Sequence, residues 1–372
     1  MGIFHTVGDD QIKAGECTDI YFARIEDILT VENKNPVVAV EITAASLVND
    51  WGVLCGLDDA LKLLEGLSVD VFAMPEGSIF YPGEPVMRIT GNYRIFGRYE
   101  TALLGFLCHA SGIASSAALI KACAGSVPVY SFGSRRQHPS ISGMIERSAW
   151  IGGADGASNT CAPAGIPLIG TMPHSYVMCH ETPNDAWVNF DKYAPPEVPR
   201  VMLCDTYCDE KREALSAAKA GATAVRLDTP RSRKGDIRSI IEEVRWELDI
   251  NGFSDVGIFL SGGLTADDVG SLSDIVDAFG VGGAIANAPV VDFSLDIVEI
   301  DGKSVSKRGK KSGIKEVYEY DDGSHVMLPL NAPPPENARQ MLKSFIKDGQ
   351  VLTLPDMQKS RARVLSALGN FT

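Results

Sequence analysis

Between residues 127 and 287 the chain repeats one pattern: a short apolar segment, a polar or glycine-rich tip, and a segment with helical periodicity. The apolar segments read VPVYSF, GIPLI, PRVMLC, ATAVRL, DVGIFL and, in a last short piece, VGGAIAN. Apolar strands that alternate with amphipathic helices indicate βα units and parallel pairing. About six units are present, fewer than the eight of a complete TIM barrel, so we predict an α/β fold with an incomplete, distorted barrel. A doubly wound open sheet is the alternative, although its glycine-rich dinucleotide loop after the first strand is absent.

The flanking segments have a different character. TDIYFARIEDIL predicts a helix opened by Thr18 and Asp19, PVVAVEIT predicts a strand, and MPEGSIFYPGEPVMRITG alternates short β runs with turn residues. We therefore predict an N-terminal α+β domain over 1–115, a barrel with the active site over 116–292, and a C-terminal β and helical segment over 293–372 that packs back on the N-terminal domain. The basic run KRGKKSGIK in the C-terminal segment is expected to be a solvated turn.

Composition restricts the possible partners. The formal net charge of −14 argues against nucleic acid, because phosphate binding there requires a positive surface. The eight cysteines form no CxxC pair, which favours reduced thiols and a cytosolic protein. No signal peptide is expected in the short, polar first ten residues, and no membrane span is expected, since Gly, Ser or charge interrupts the apolar stretches before ~18 residues.

Chemically useful residues collect at the ends of the predicted strands, where a βα barrel forms its active site. The tips read GSRRQHP, GTMPHS, CDTY, RLDTP, SGGL and GVGG. His174 in GTMPHS is thus placed where barrels hold reactive groups. Taken singly, each tip could also be an ordinary turn or a capped strand end.

Two of these tips contain diglycines suited to phosphate. Gly262-Gly263 and Gly282-Gly283 would let backbone N–H groups approach a phosphate closely, with a helix following each pair. The alternative is that both are tight turns without a ligand.

Carboxylates follow two consecutive strands. Asp205 and Asp228 could bind sugar hydroxyls or hold Mg²⁺ directly or through water, while Asp205 could instead cap the helix that starts near Asp209. Arg226 lies within its strand and needs an anion, either a phosphate or Asp228.

The tip FGSRR suggests a flat anionic ligand. Arg135 and Arg136 offer planar guanidinium groups for a carboxylate or phosphate. Phe132 could stack on an aromatic ligand or could belong to the core. Together the tips predict a phosphorylated sugar with Mg²⁺ and a small carboxylate, as in phosphoribosyl chemistry or a barrel aldolase, although no tip carries a lysine for a Schiff base.

The sequence resembles the nicotinate phosphoribosyltransferases of the archaeal type over nearly the whole chain, to about residue 320. The segments that carry the resemblance are, in this order, TDIYF, FGSRRQHP, IGGADGASN, GTMPHS, VRLDTP, LSGGL and DAFGVGGAI. That resemblance implies a type II phosphoribosyltransferase with an N-terminal α/β domain and an incomplete barrel. It implies that nicotinate and phosphoribosyl pyrophosphate give nicotinate mononucleotide and pyrophosphate in NAD salvage, with ATP hydrolysis coupled in many members.

The resemblance also implies residue roles. Nicotinate would be bound by Phe132, Arg135, Ser158 and, reaching in from a neighbouring subunit of a homodimer or larger homo-oligomer, Tyr21. Phosphoribosyl pyrophosphate would be bound by Arg136, Arg226, Ser261, Gly262, Gly263, Gly282 and Gly283. Catalysis would rest on His174, Asp205 and Asp228, the two aspartates also holding Mg²⁺. Ser158 stands where nicotinamide-using relatives carry an acid, and a neutral side chain there favours a carboxylate ligand.

One departure concerns zinc. Archaeal relatives often carry a four-cysteine knuckle near the C-terminus, whereas this sequence has no cysteine after Cys208 and only His325 in the corresponding region. A structural zinc is therefore not expected.

Two alternative functions stay open. One is quinolinate phosphoribosyltransferase, for which Arg136 and His138 could supply extra cationic groups, and the other is a non-catalytic barrel that binds a phosphorylated ligand.

Overall fold

The structure is a computed structural model that describes residues 4–228 and 235–369. It divides into two compact units, one formed by the residues up to Ser115 together with those from Pro289 onward, the other by Ser116–Ala288. The division at residue 115 falls inside helix Glu100–Ala124. The residues 229–234 of the predicted tip DTPRSRKG lie outside the described residues.

The first unit is built on an antiparallel sheet of seven strands. In spatial order they are Lys303–Ser304, Phe293–Ile300, Val37–Ala44, Pro85–Asn92, Val69–Ala73, Lys343–Lys347 and Gln350–Val351. Strands Phe293–Ile300 and Lys343–Lys347, from the end of the chain, pair directly with Val37–Ala44 and Val69–Ala73. The C-terminal segment is thus part of the same sheet as the N-terminal segment.

Shorter sheets and helices complete this unit. Its other strands are Gly52–Val53 with Ile79–Phe80, and Lys315–Tyr320 between His325–Pro329 and Ala338–Gln340. Its helices are Asp9–Lys13, Ile20–Val31, Leu57–Leu64, Tyr93–Phe96, Glu100–Ala124 and Met357–Leu368, with a 3₁₀ turn at Gly97–Tyr99. The predicted helix after Asp19 is confirmed, and Asp19 is its N-cap residue.

The basic run KRGKKSGIK is not simply a solvated turn. Lys315 is buried, and its backbone N–H and its Nζ each donate to Glu41, which is 1% exposed, both at 2.7 Å. Lys307 and Lys310 both pair with the buried carboxylate of Asp296. The expectation holds for most of the run, because residues 307–309, 311 and 312 are exposed and form a turn. It fails for Lys315, which pairs with a buried acid on a distant strand, a contact that the sequence pattern does not reveal.

The region without the knuckle cysteines is also ordered through polar contacts. His325 Nδ1 lies 3.0 Å from Glu84 Oε2, and Tyr81 meets the imidazole edge-on at 4.9 Å between ring centroids. The absence of a structural zinc stays a prediction.

The second unit contains a parallel sheet of six strands. In spatial order they are Gly156–Ala157, Val129–Ser131, Ala278–Val281, Gly257–Ser261, Ala224–Leu227 and Val201–Cys204. Its helices are Ser142–Ile151, His174–Met178, Pro183–Tyr193, Glu210–Lys219, Ile237–Ile250, Ala266–Leu272 and Gly283–Ala286, with 3₁₀ turns at Ser134–Arg136 and Pro139–Ile141. The two edge strands Gly156–Ala157 and Val201–Cys204 have no ladder between them, which confirms the predicted incomplete α/β barrel.

Two predicted strands of the barrel need correction. GIPLI forms only an isolated bridge between Leu168 and Ala157, and the neighbouring regular strand is Gly156–Ala157. The last strand is Ala278–Val281, which precedes the glycines of VGGAIAN. Both errors have one cause: a short apolar run does not reveal which of its residues find a pairing partner.

Helix Tyr93–Ala124 bears on the membrane expectation. Its most apolar window has a mean hydropathy of 1.7, so by length and composition it could cross a membrane, contrary to the sequence expectation. However, 61% of that window is buried inside the protein, as is usual for a core helix.

Glu100, the first residue of helix Glu100–Ala124, provides a pH-dependent test. Burial, with the carboxylate of Asp296 adding to it, raises the pKa of Glu100 from 4.5 to about 7. The folded chain therefore holds this proton more tightly than the unfolded chain does. The stability that this proton contributes is present below pH ~4.5 and is lost as the pH rises through about 7.

We therefore expect Glu100→Gln to gain thermal stability relative to the wild type as the pH rises from 4.5 to 8. Melting temperatures measured by calorimetry across this range test the expectation. Glu336→Gln, at an exposed carboxylate, is the control and should show a difference that is constant with pH. Parallel curves for the two variants would contradict the account.

Candidate active site

The parallel strands place their carboxyl ends at one edge of the sheet, and two glycines let the tips touch. Gly133 follows strand Val129–Ser131, and a Cβ there would overlap the carbonyl oxygen of Gly282. Gly262 follows strand Gly257–Ser261, and a Cβ there would overlap the carbonyl oxygen of Asp228. The predicted tips FGSRR and GVGG are therefore in contact, as are SGGL and RLDTP.

Asp205, Asp228 and Ser261 form a hydrogen-bonded chain across three adjacent strand ends. Asp228 N–H donates to Asp205 Oδ2 at 2.7 Å, and Ser261 Oγ donates to Asp228 Oδ1 at 2.5 Å. Asp205 does not cap the following helix, because the N-cap side chain is that of Asp209. The backbone of Asp205 has φ +112, a value that favours glycine and strains an aspartate.

His174 points at these aspartates. It is the first residue of helix His174–Met178, directly after the N-cap residue Pro173, so the start of the helix places its side chain at the sheet edge. Its Nε2 lies 3.5 Å from Asp228 Oδ2 and 3.9 Å from Asp205 Oδ1, and its Nδ1 lies 3.1 Å from Thr206 Oγ1. Thr206 was missed by the sequence reasoning, although it follows Asp205 directly.

Arg226 lies half-buried in its strand, as predicted from its position. Burial lowers the pKa of Arg226, and the positive charge of Arg135 lowers it further. The carboxylates of Asp228 and Asp205 act in the opposite direction. Its Nη1 donates to Thr171 Oγ1 at 3.2 Å, while its Nε has no hydrogen-bond partner among the described residues. Two mutually repelling guanidinium groups at one sheet edge suit an anionic ligand.

The tip FGSRR presents an aromatic ring and two cations. Arg135 and Arg136 end the 3₁₀ turn Ser134–Arg136 and are exposed. Phe132 is half-buried; its ring lies 5.7 Å from that of Phe259 and covers Gly280, where a Cβ would lie 2.6 Å from the ring. One side of Phe132 is therefore part of the core, and the ring still reaches the surface.

Ser158 is tied to this tip through its backbone. Ser158 N–H donates to Ser131 O at 3.0 Å, and the next residue, Asn159, donates from Nδ2 to Ser134 Oγ at 2.8 Å. Glu146 lies fully buried on the neighbouring helix; burial raises the pKa of Glu146, and the hydroxyls of Ser131 and Ser134 beside it oppose the rise. Sequence reasoning missed Asn159 and Glu146, because neither follows a predicted strand.

The two diglycines lie at neighbouring strand ends. Gly262 and Gly263 both have positive φ, +103 and +71, while Gly282 precedes the four-residue helix Gly283–Ala286. Gln137 Nε2 donates to Asn287 Oδ1 at 2.8 Å, which links this last tip to FGSRRQ. The predicted residues of the second unit therefore gather along one edge of its sheet.

Known protein families match most of the chain. Residues 19–111 match the quinolinate phosphoribosyl transferase N-terminal domain, and residues 113–296 match the C-terminal domain of the same family. The chain belongs to the quinolinate phosphoribosyl transferase family. The resemblance to type II phosphoribosyltransferases stated from the sequence is confirmed.

Individual members of this family are similar over different lengths. A nicotinate-nucleotide pyrophosphorylase from Pyrococcus furiosus has a solved structure with a TM-score of 0.97 and 48% identity, covering 100% of this chain and 99% of that one. A nicotinate phosphoribosyltransferase of Mycobacterium tuberculosis is 32% identical over 70% of this chain and 58% of its own length. The human nicotinic acid phosphoribosyltransferase shares the fold, with a TM-score of 0.73 and 19% identity over 95% of this chain and 94% of that one. The chain spans 58% of the first curated relative, the Mycobacterium protein.

Tyr21 belongs to the first unit. It lies on helix Ile20–Val31, where no residue is buried, and its side chain is 52% exposed. Ile20, Ile25, Ile28 and Val31 of the same helix are exposed as well. An apolar helix surface of this kind is typical of an interface between proteins.

The fit of the predicted magnesium can be judged from the donor set. Among the described residues there is no group of three or more His, Cys, Asp or Glu side chains that could hold a metal by themselves. Asp205 and Asp228 each have a carboxylate oxygen within 3.9 Å of His174 Nε2, so the two carboxylates lie close together. Mg²⁺ is usually bound through one or two carboxylates plus phosphates of a substrate. The pair therefore fits a magnesium ion that is shared with a substrate.

We expect Gly262→Ala to destabilise the chain by about 1–3 kcal/mol, because a positive φ and the overlap with the Asp228 carbonyl both oppose a side chain. Gly270→Ala is the matched control: it lies inside helix Ala266–Leu272, its added Cβ meets Cys123 Cβ at an ordinary 3.6 Å, and it should be neutral or slightly stabilising. Denaturant unfolding of both variants measures the difference. Equal stabilities would show that the two tips are not in contact.

Proposed function

We propose that the chain is a nicotinate phosphoribosyltransferase that forms nicotinate mononucleotide and pyrophosphate from nicotinate and phosphoribosyl pyrophosphate, in NAD salvage and in the cytoplasm. The observation that carries the proposal is that groups for a flat carboxylate and groups for a phosphoribosyl unit lie at one edge of the same sheet. Curated relatives with the name nicotinate phosphoribosyltransferase support this choice of acceptor.

The donor is assigned to the tips after the four strands from Ala278–Val281 to Val201–Cys204, together with Arg136 of the adjacent tip FGSRR. Asp205 and Asp228 bind the ribose hydroxyls, and the backbone of Ser261, Gly262, Gly263, Gly282 and Gly283 receives the 5-phosphate. Arg226 and Arg136 face the pyrophosphate. The Nε of Arg226, which has no protein partner among the described residues, supports its assignment to an anion.

The acceptor is assigned to the tips that begin with Phe132 and Ser158. Phe132 offers the exposed part of its ring to the pyridine, and Arg135 pairs with the nicotinate carboxylate. Tyr21 of a second copy of the chain packs against the opposite face of the pyridine ring, so the active form is a homodimer or a larger homo-oligomer. The exposed apolar helix around Tyr21 supports that assembly.

Transfer of the phosphoribosyl group then depends mainly on how the two substrates are positioned. As pyrophosphate leaves the anomeric carbon, positive charge develops on the ribose, and the carboxylates of Asp205 and Asp228, which bind its hydroxyls, stabilise that charge. Arg226 stabilises the negative charge that develops on the leaving group. The pyridine nitrogen carries its own lone pair and attacks without losing a proton, so orientation supplies most of the rate. A magnesium ion held by Asp205, Asp228 and the substrate would neutralise part of the pyrophosphate charge.

Quinolinate is the rival acceptor, and the Pyrococcus relative has the name nicotinate-nucleotide pyrophosphorylase. A second carboxylate would need a further cation beside Arg135. His138 does not offer a free ring nitrogen at Nδ1, which accepts the N–H of Ser140 at 3.2 Å. The choice of nicotinate therefore rests on the curated relatives that have the name nicotinate phosphoribosyltransferase.

The test is release of pyrophosphate by the full chain with Mg²⁺, phosphoribosyl pyrophosphate and one of three acceptors. We expect turnover with nicotinate to exceed that with nicotinamide or quinolinate. Faster turnover with quinolinate would overturn the choice of acceptor. Binding of the donor without release of pyrophosphate with any acceptor would support the non-catalytic alternative.

The same assay tests Ser158. Ser158→Asp should lower kcat/KM for nicotinate at least ~10-fold relative to Ser158→Asn, because the new carboxylate would face the carboxylate of nicotinate. Asn is the neutral isostere of Asp and therefore controls for the change in size. The effect with nicotinamide should be small. Equal values for the two variants with nicotinate would remove Ser158 from the acceptor site.

ATP coupling is assigned to His174, whose Nε2 faces the aspartates at the sheet edge. His174→Ala should abolish stimulation of turnover by ATP, because the imidazole that is phosphorylated is lost. Some basal transfer should remain, because the groups that position the substrates are kept. His180→Ala, at a neighbouring histidine whose Nδ1 contacts Tyr176 O, is the control and should keep the stimulation. Unchanged ATP stimulation in His174→Ala would refute this role.

A further inference from the structure

Glu213 holds the loop that carries Asp205 and Thr206. It lies in helix Glu210–Lys219 and is 3% exposed. Its Oε2 accepts the backbone N–H groups of Asp205 and Thr206 at 2.7 and 2.8 Å, and its Oε1 accepts those of Tyr207 and Cys208, both at 2.9 Å. One buried carboxylate thus receives four consecutive amides.

This arrangement is more than helix capping. The N-cap of the helix is Asp209, whose Oδ1 accepts from Arg212 N–H at 3.0 Å. The carboxylate of Glu213 instead turns back to the loop before the helix. Hydrogen bonds to an ionised acceptor are roughly twice as strong as neutral ones, so four of them can hold a loop firmly.

The loop needs such support because Asp205 is strained. A non-glycine residue at φ +112 persists only where the surrounding structure holds it in that conformation. The strained conformation has a consequence at the sheet edge: Asp205 Oδ2 meets Asp228 N–H, and Thr206 Oγ1 meets His174 Nδ1. Both contacts depend on the backbone that Glu213 fixes.

We propose that Glu213 is a positioning residue of the phosphoribosyl site, which acts through the backbone of residues 205–208 to set Asp205 against Asp228 and Thr206 against His174. As a buried side chain it is assigned no contact with either substrate. The inference rests on the proposed phosphoribosyl transfer and adds the residue that organises the donor half of that site.

The test compares Glu213→Gln with Asp209→Ala in the full chain. Gln keeps the volume of Glu213 but turns one acceptor into a donor that faces two amide donors, so the loop should relax. We expect the Kd for phosphoribosyl pyrophosphate with Mg²⁺, measured by calorimetry, to rise at least ~10-fold, and KM for nicotinate to change less than ~3-fold. Asp209→Ala removes the helix cap, should lower the melting temperature, and should leave both constants unchanged.

The outcomes separate the two proposals. If Glu213→Gln lowers the melting temperature but binds the donor like the wild type, Glu213 is only structural and the inference is wrong. If the wild type itself neither binds the donor nor releases pyrophosphate, the proposed function fails instead.

A second measurement covers the case that Glu213→Gln does not fold. In the wild type without ligand, the amides of residues 205–208 should exchange with solvent as slowly as those of the adjacent strand Val201–Cys204. Exchange at the rate of an open loop would overturn the inference.

Discussion

Parallel pairing of six short strands brings their carboxyl ends to one edge of the second unit, and each contact of the candidate site depends on that register. Asp228 meets Asp205 because strands Ala224–Leu227 and Val201–Cys204 are neighbours that run in the same direction. Gly133 and Gly262 allow the tips to touch where any side chain would separate them. The site is therefore a property of the sheet and not of any single motif.

The edge is held by buried carboxylates as much as by apolar packing. Glu213 gathers the amides of residues 205–208, and Glu146 lies beside the hydroxyls of Ser131 and Ser134 under the tip that carries Arg135. In the first unit Glu41 plays a comparable part for the buried Lys315. Such groups are costly to bury unless they are hydrogen-bonded, so each marks a place where the backbone is held in one arrangement.

The sequence predicted the parts of this structure that depend on order along the chain. The βα alternation predicted the incomplete barrel, and the strand ends predicted Asp205, Asp228, His174 and Ser261, which the structure brings together. It could not predict Glu213, which in the sequence is one acid among several in an amphipathic helix and whose direction depends on the fold of the preceding loop. It also misplaced the strand at GIPLI, because pairing with Ala157 is decided by distant residues.

The central claim is that these strand ends form one site for a phosphoribosyl unit beside a flat carboxylate. A crystal structure of the full chain with nicotinate, Mg²⁺ and a non-reactive analogue of phosphoribosyl pyrophosphate tests it most directly. The account predicts the 5-phosphate against Gly262, Gly263, Gly282 and Gly283, and the ribose hydroxyls at Asp205 and Asp228 of the same chain. An analogue bound elsewhere, with these strand ends in contact only with solvent, would contradict it.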